Sequence, residues 1–314
     1  MSNHARRAVG LAALAGAAAL AAGCAGPGGD AAPTTGGATA GPGADPDPAS
    51  LAVEVHDTHP FDADSFTQGL ELEEGGTLLV GTGREGESRV YRRAPDGEEL
   101  ESAELDDDLF GEGVARVGDT VWQLTWREGV VVERDSETLN ERARHEIPGE
   151  GWGLCFFPED PLGEESGGVL YQSEGTGKLI RRDPETFGEL GRVNAPAGVD
   201  GLNELDCATG EGANPAGGDA DSVVWANVFP TDEILGLDPE TGEVLATVDA
   251  AELAAGTPAV REDPDHVLNG IAHVPGTGRF LLSGKKWPVL YEVEFVPRRP
   301  AGDGLTPSQR GPIG

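Results

Sequence analysis

The chain is 314 residues long, 38% hydrophobic and 5% aromatic, with 56 acidic against 22 basic residues and a formal net charge of −34. So negative a surface repels phosphate backbones and anionic headgroups, which excludes nucleic acid and the bare membrane surface as partners. With 48 glycines and 23 prolines, turns dominate and long helices are not expected.

Residues 1–24 read as an export signal: Arg6 and Arg7 precede an apolar, alanine-rich run from Ala8 to Ala22 that is too short for a spanning helix with its usual flanks. The run stops at "LAAGC", where Cys24 stands at the cleavage and lipidation position of a lipoprotein signal peptide. An ordinary secretory signal with a chance cysteine is the alternative. Residues 25–49 have almost no apolar bulk and are expected to form a disordered tether. The expectation is an exported, extracytoplasmic protein whose only membrane contact is a lipid anchor. Residues 50–297 then hold the folded domain, and 298–314 a flexible tail.

Within the folded part, a small polar or glycine turn enters a strand five times: "TQGLEL" from Thr67, "GEGVARV" from Gly111, "GWGLCFF" from Gly151, "NELDCAT" from Asn203 and "NGIAHVP" from Asn269. A β-rich run follows each ("TLLVGTG", "TVWQLTW", "GVLYQSEGT", "SVVWANVF", "RFLLSGKKW"), and then a third, shorter one. Turns such as "APDGEE", "DSETLN", "DPETFGE" and "DPETGE" close four units, with Gly or Asn expected at the positive-φ position. Four strands per unit at intervals of roughly 40 to 66 residues predict an all-β, five-bladed β-propeller with a central channel. The strand-like "LAVEVHDTH" at 51–59 lies outside the repeats and is expected to pair into the last blade and close the ring.

In such a blade the first strand and its hairpin partner are antiparallel, so the start of one and the end of the other share a face. Gln68, Glu112, Trp152, Asn203, Glu204 and Asn269 stand at the starts; Trp126, Glu174, Asn227, Phe229, Lys285 and Trp287 stand at or near the ends. All are expected around one mouth of the channel. Glu112, between two glycines near an aromatic-lined axis, should be desolvated and raised toward a useful acid–base range. Its alternative role is to tie the ring together through amides of the next blade. Trp126, Trp152 and Trp287 are expected to line a pocket, with Trp122 and Trp225 as core. Lys285 is a candidate oxyanion support, whereas Lys286 reads as a solvated loop charge. The amides Gln68, Asn203, Asn227 and Asn269 can orient a substrate, hold one another or ligate a cation. Cys155 and Cys207 occupy matching places in their repeats and read first as two small buried thiols, with a disulfide, which export permits, as the open alternative. His56, His59, His145, His266 and His273 show no metal spacing and read as surface or turn residues.

The motifs "FTQGLE" (66–71), "TG" (82–83), "FGEG" (110–113), "LTW" (124–126), "EGWGL" (150–154), "LNEL" (202–205), "ANV" (226–228), "TDEI" (231–234), "LNGIA" (268–272) and "GKKWP" (284–288) occur together and in order. They resemble the plant-type glutaminyl cyclases, also found in bacteria, over about residues 55–295. The resemblance implies a five-bladed propeller and an acyltransferase, a glutaminyl-peptide cyclotransferase. Its substrates would be peptides or proteins with an N-terminal glutamine, closed to pyroglutamate with loss of ammonia. It implies Glu112 as the acid–base residue, with Gln68, Asn203 and Lys285 at positions that bind the substrate's amide, amine or oxyanion. Phe66, Phe110, Trp126 and Trp152 match aromatic walls, and Phe229 stands where the family often has Trp. It implies no required cofactor or catalytic metal and a monomer; a structural cation such as calcium in the channel stays open. The rival readings are a metal-dependent, lactonase-like propeller hydrolase using Glu112, Asn203, Asn227 and Asn269 as ligands, and a non-catalytic binding propeller.

Overall fold

The computed structural model describes residues 47–257 and 263–298. The expected export signal, Cys24, the tether as far as residue 46 and the tail from residue 299 lie outside the described residues.

Strand β1 (Ala49–Pro60) precedes three runs of four: β2 (Thr67–Leu72), β3 (Leu78–Thr82), β4 (Arg89–Arg93) and β5 (Glu99–Glu104); β6 (Gly111–Val117), β7 (Thr120–Thr125), β8 (Val130–Asp135) and β9 (Glu141–Glu146); β10 (Leu154–Phe157), β11 (Val169–Ser173), β12 (Lys178–Arg182) and β13 (Glu189–Asn194). Each run is its own antiparallel four-stranded sheet in chain order. A fourth run, β14 (Leu202–Thr209), β15 (Ser222–Val228), β16 (Glu233–Leu237) and β17 (Val244–Asp249), is followed by a short helix, Ala251–Gly256, and by β18 (Leu268–His273), β19 (Arg279–Gly284) and β20 (Val289–Pro297). These seven strands and β1 make one eight-stranded sheet, because β1 pairs antiparallel with β20 and parallel with β17. Residue 298, expected in the loose tail, is tied in: Arg298 N donates to Ser50 O at 2.9 Å.

The strand sequences explain the layering. First strands such as β6 (GEGVARV) and middle strands such as β7 (TVWQLT) are buried along most of their length. Outer strands such as β5 (ELESAE) and β9 (ERARHE) are charged and largely exposed, which discourages edge-to-edge pairing with other chains. Apolar residues fill the spaces between sheets. Trp122 packs on Phe187 from the next sheet, ring centroids 4.9 Å apart, and its indole N–H donates to Pro184 O. Trp225 is likewise buried, against Phe280 and Phe295. Both serve as core, as their inward positions on the second strands predict.

Two turns differ from expectation. In "DSETLN" the positive φ falls on Leu139 (58°), and in "DPETFGE" on Phe187 (60°), not on the following Asn or Gly. Both side chains are buried in intersheet clusters. Burial of a large apolar group, worth roughly 1.5–3 kcal/mol, offsets the roughly 1–2 kcal/mol cost of the left-handed backbone.

Cys155 and Cys207 form a disulfide with Cα atoms 5.3 Å apart, not two separate thiols. Matching positions in successive repeats imply equivalent buried sites. Because the first strands β10 and β14 are neighbours, equivalent positions face each other across the gap and bridge it. The crosslink spans 52 residues, so removing it is expected to cost about 4 kcal/mol through restored unfolded-state entropy. A Cys155→Ser/Cys207→Ser variant should lower the thermal midpoint by on the order of 10 °C, measured by circular dichroism. An unchanged midpoint would mean the bridge adds nothing.

Candidate functional site

The first strands β2, β6, β10, β14 and β18 contact one another in that order, and β18 returns to β2. Four of them break register with their second strand at the same place: Thr67/Gly69, Gly111/Val114, Leu202/Leu205 and Leu268/Ile271. Bulges of this kind re-aim side chains. Those released here are Gln68, Glu112, Asn203 with Glu204, and Asn269. The glycine after Glu112 is required by crowding: a Cβ on Gly113 would lie 2.6 Å from Leu154 N and 2.7 Å from Trp152 O, while its own N–H donates to Trp152 O.

A cavity of about 300 Å³ opens at this end, lined by Phe66, Gln68, Phe110, Glu112, Trp126, Trp152, Asn203, Phe229, Asp265 and Lys285. Nine of these ten are positions singled out in the sequence; Asp265 is not. It sits in the stretch "DPDHV" between repeats, where an acid looks like any solvated loop charge. Trp287, expected here, is elsewhere: it is buried in the core of the last strands, its indole N–H donating to His266 O, its ring edge-on to Tyr291. The tight turn at Lys286 (φ 61°) directs the next side chain inward. Lys286 is not free either, since its ammonium donates to Asp64 O. Asn227 and Asn269 stay behind the cavity wall. Asn227 Oδ1 accepts Gly270 N–H at 2.9 Å. His273, read as a surface or turn residue, is buried against Phe280.

The rings form two walls. Phe66 meets Phe110 edge-on at 6.2 Å, Phe110 leans on Trp126 at 5.5 Å, and Trp152 packs against Phe229 at 5.8 Å. The Lys285 ammonium lies 5.0 Å from the Phe66 ring centre and 4.8 Å from that of Phe229, within cation–π range of both. Its backbone is pinned by a β-bridge to Phe66.

Two glutamates at matching bulges differ in what their carboxylates meet. Glu204 spends both oxygens on neighbouring strands: Oε1 accepts Leu70 N–H and Oε2 accepts Ile271 N–H. That is the ring-tying role weighed for Glu112. Glu112, only 3% exposed, accepts one hydrogen bond, from Gln68 Nε2 at 2.8 Å, and its Oε2 has no partner among the described residues. Gln68 is held in turn by Asn269 Nδ2, which donates to its Oε1 at 2.8 Å and so directs the amide N–H₂ at the carboxylate. Gln68 therefore supports Glu112 before it can bind anything else. Asn203 Oδ1, buried at the cavity, also lacks a partner among the described residues. Unmet acceptors in a lined cavity are where a ligand's donors belong. Burial raises the Glu112 carboxyl well above its ordinary range, and the positive charge of Lys285 offsets only part of this. Burial lowers Lys285, with the Glu112 charge opposing.

A larger cavity, about 490 Å³, includes Glu71, Arg116, Asp206 and His273 in its wall. Two of its acids are engaged by backbone, Glu71 accepting Arg116 N–H and Asp206 accepting His273 N–H. Desolvation raises them to about 8 and about 7. Among the described residues its wall holds no tryptophan and no lysine, unlike the smaller cavity.

Residues 31–295 match the family model described as Glutamine cyclotransferase. The chain is 31% identical over 252 residues to the glutaminyl-peptide cyclotransferase of Arabidopsis thaliana, covering 77% of this chain and 71% of that protein. The crystal structure of Myxococcus xanthus glutaminyl cyclase aligns with a TM-score of 0.66 at 26% identity, over 81% of this chain and 100% of that one.

Proposed function

The chain belongs to the glutamine cyclotransferase family, and from that premise we propose that it closes the N-terminal glutamine of peptides or proteins to pyroglutamate, releasing ammonia by single-carboxylate acid–base catalysis. The reading rests on one observation above the rest: a buried glutamate with a free oxygen faces an aromatic-walled cavity that also presents an unpartnered amide oxygen and a lysine.

The substrate's α-amine attacks its own side-chain amide carbon. A C–N bond forms, the carbonyl becomes an oxyanion, and the bond to the amide nitrogen then breaks. Because the attack is intramolecular, folding the glutaminyl side chain between the rings supplies most of the proximity. Glu112 takes the amine proton and returns it to the leaving nitrogen, so one carboxylate serves both halves and is regenerated. Lys285 balances the oxyanion, and Asn203 Oδ1 accepts from the amine or amide. Phe66, Phe110, Trp126, Trp152 and Phe229 exclude water and grip the apolar stem. Phe229 offers a wall but no N–H, so no substrate contact runs through a donor there.

The five runs of strands are read as five blades around this cavity, with β1 completing the last and acting as the closure. Export and anchoring through Cys24 accord with the Cys155–Cys207 bridge, since disulfides persist in oxidising compartments.

The test is to incubate the purified chain with Gln-Ala and with a lactone, each with and without chelator. Mass loss of one ammonia from the peptide, unaffected by chelator, is expected. Chelator-sensitive lactone opening with no ammonia released would replace this reading with a metal-dependent hydrolase; no change in either would leave a binding propeller.

A further inference from the structure

An indole carries one polar atom, a donor, and a ring that forms a cavity wall must place that N–H without losing its pose. Trp126 follows β7 of the second sheet and Trp152 precedes β10 of the third. Both indoles donate to the same atom, Oε2 of Glu150, each at 3.0 Å. Glu150 lies in the connection between β9 and β10, so one oxygen joins walls from two sheets. Its other oxygen accepts Arg127 Nε at 3.1 Å, and the Arg127 guanidinium lies 3.6 Å from the centre of the Trp126 ring. The backbone beneath is fixed as well: Gly151 N–H donates to Trp126 O, and Gln172 Nε2 donates to Glu150 O.

We propose that Glu150 is a positioning residue of the site, a carboxylate clamp that sets the spacing of the Trp126 and Trp152 walls and hence the fit of the glutaminyl side chain between them. The proposal rests on the cyclotransferase reading for its substrate, but the clamp itself is a property of the protein alone. A shared acceptor couples the two rings, since neither indole can turn without giving up a charge-assisted hydrogen bond. Burial would raise the Glu150 carboxyl, yet the hydrogen bonds from Trp152, Arg127 and Trp126 prevail and hold it below the ordinary range. The clamp therefore keeps its charge when the medium turns mildly acidic.

That charge also reaches Glu112. Burial chiefly raises Glu112; Lys285 and the Gln68 hydrogen bond act downward, while Glu128 and Glu150 act upward. Replacing Glu150 by an uncharged residue removes one upward influence. The acid limb of the pH–kcat/KM profile, reporting Glu112, should move to lower pH.

The experiment compares wild type, Glu150→Ala, Glu150→Gln and the double variant Trp126→Phe/Trp152→Phe, assayed for ammonia from Gln-Ala across pH. Glu150→Ala should raise KM about tenfold with kcat changed less than about threefold, because the lost contact is felt equally in bound substrate and transition state. Glu150→Gln keeps an acceptor oxygen and should hold KM within about twofold, with the acid limb displaced downward. The double Phe variant removes both donors, should match Glu150→Ala in KM, and should not worsen when Glu150→Ala is added. Unchanged KM in Glu150→Ala, or fully additive losses in the combined variant, would overturn the clamp. Indole emission separates this outcome from failure of the functional reading. Trp122, Trp225 and Trp287 are buried, so a red shift in Glu150→Ala but not in Glu150→Gln reports the two wall indoles. That shift supports the clamp even if wild type releases no ammonia, and its absence overturns the clamp in either case.

Discussion

Glu112→Gln should lower kcat by about 10²–10⁴-fold, the range for a lost positioned acid–base group, while leaving the fold intact. The replacement is nearly isosteric and its amide oxygen can still accept from Gln68 Nε2, which now donates to Glu112 Oε1. What disappears is the ability to take a proton from the amine and hand it to the departing nitrogen. Stability should not suffer. A carboxyl raised on folding contributes stability that is present below its unfolded pKa and lost as pH rises through its folded one, and Glu112 is raised by burial. The amide escapes that loss, so at neutral and alkaline pH the variant's thermal midpoint should equal or exceed that of wild type. The same shifts give the wild-type pH–rate profile its shape. Activity rises as Glu112 loses its proton, at a pH above the ordinary carboxylate range. It falls as Lys285 loses its charge, below the ordinary lysine range. Turnover by Glu112→Gln within about tenfold of wild type would remove the proton shuttle from this residue.

Lys285→Met is the second large effect: about 10²–10³-fold in kcat, as for a removed oxyanion donor. Methionine keeps much of the apolar stem between Phe66 and Phe229, so the loss isolates the charge. Arginine should not restore the rate, since a planar guanidinium cannot stand in for a point charge wedged between two rings. Removing the lysine also removes the main attraction opposing desolvation of Glu112, so the acid limb should move further up. A kcat unchanged in Lys285→Met, from ammonia-release kinetics at saturating peptide, would transfer oxyanion support to the amides.

Much of the arrangement was legible in the chain because it depends on short-range patterns. Alternating β-rich runs and turn residues announce the strands and their order. Antiparallel pairing alone carries the start of each first strand and the end of its partner to one face, which is why Glu112, Gln68, Asn203, Trp126, Phe229 and Lys285, distant in sequence, share a cavity. Local signals fail where two side chains of similar type differ only in where the backbone aims them. Trp287 stands beside Lys285 in "SGKKWP", yet the turn at Lys286 sends it into the core. Asp265 carries no pattern at all and reaches the cavity only because its loop passes the rim.

The sequence by itself determined the all-β class, the repeated strand order and most of the residues that meet at one end, because periodicity and turn chemistry act over a few residues. Only the tertiary structure decided that Glu204 is consumed by Leu70 and Ile271 while Glu112 keeps an oxygen free, that Cys155 meets Cys207, and that Glu150 holds both indoles. Each is decided where separate repeats meet. Such contacts depend on bulge geometry and on how closely the first strands approach one another, quantities that appear only when distant segments occupy the same space.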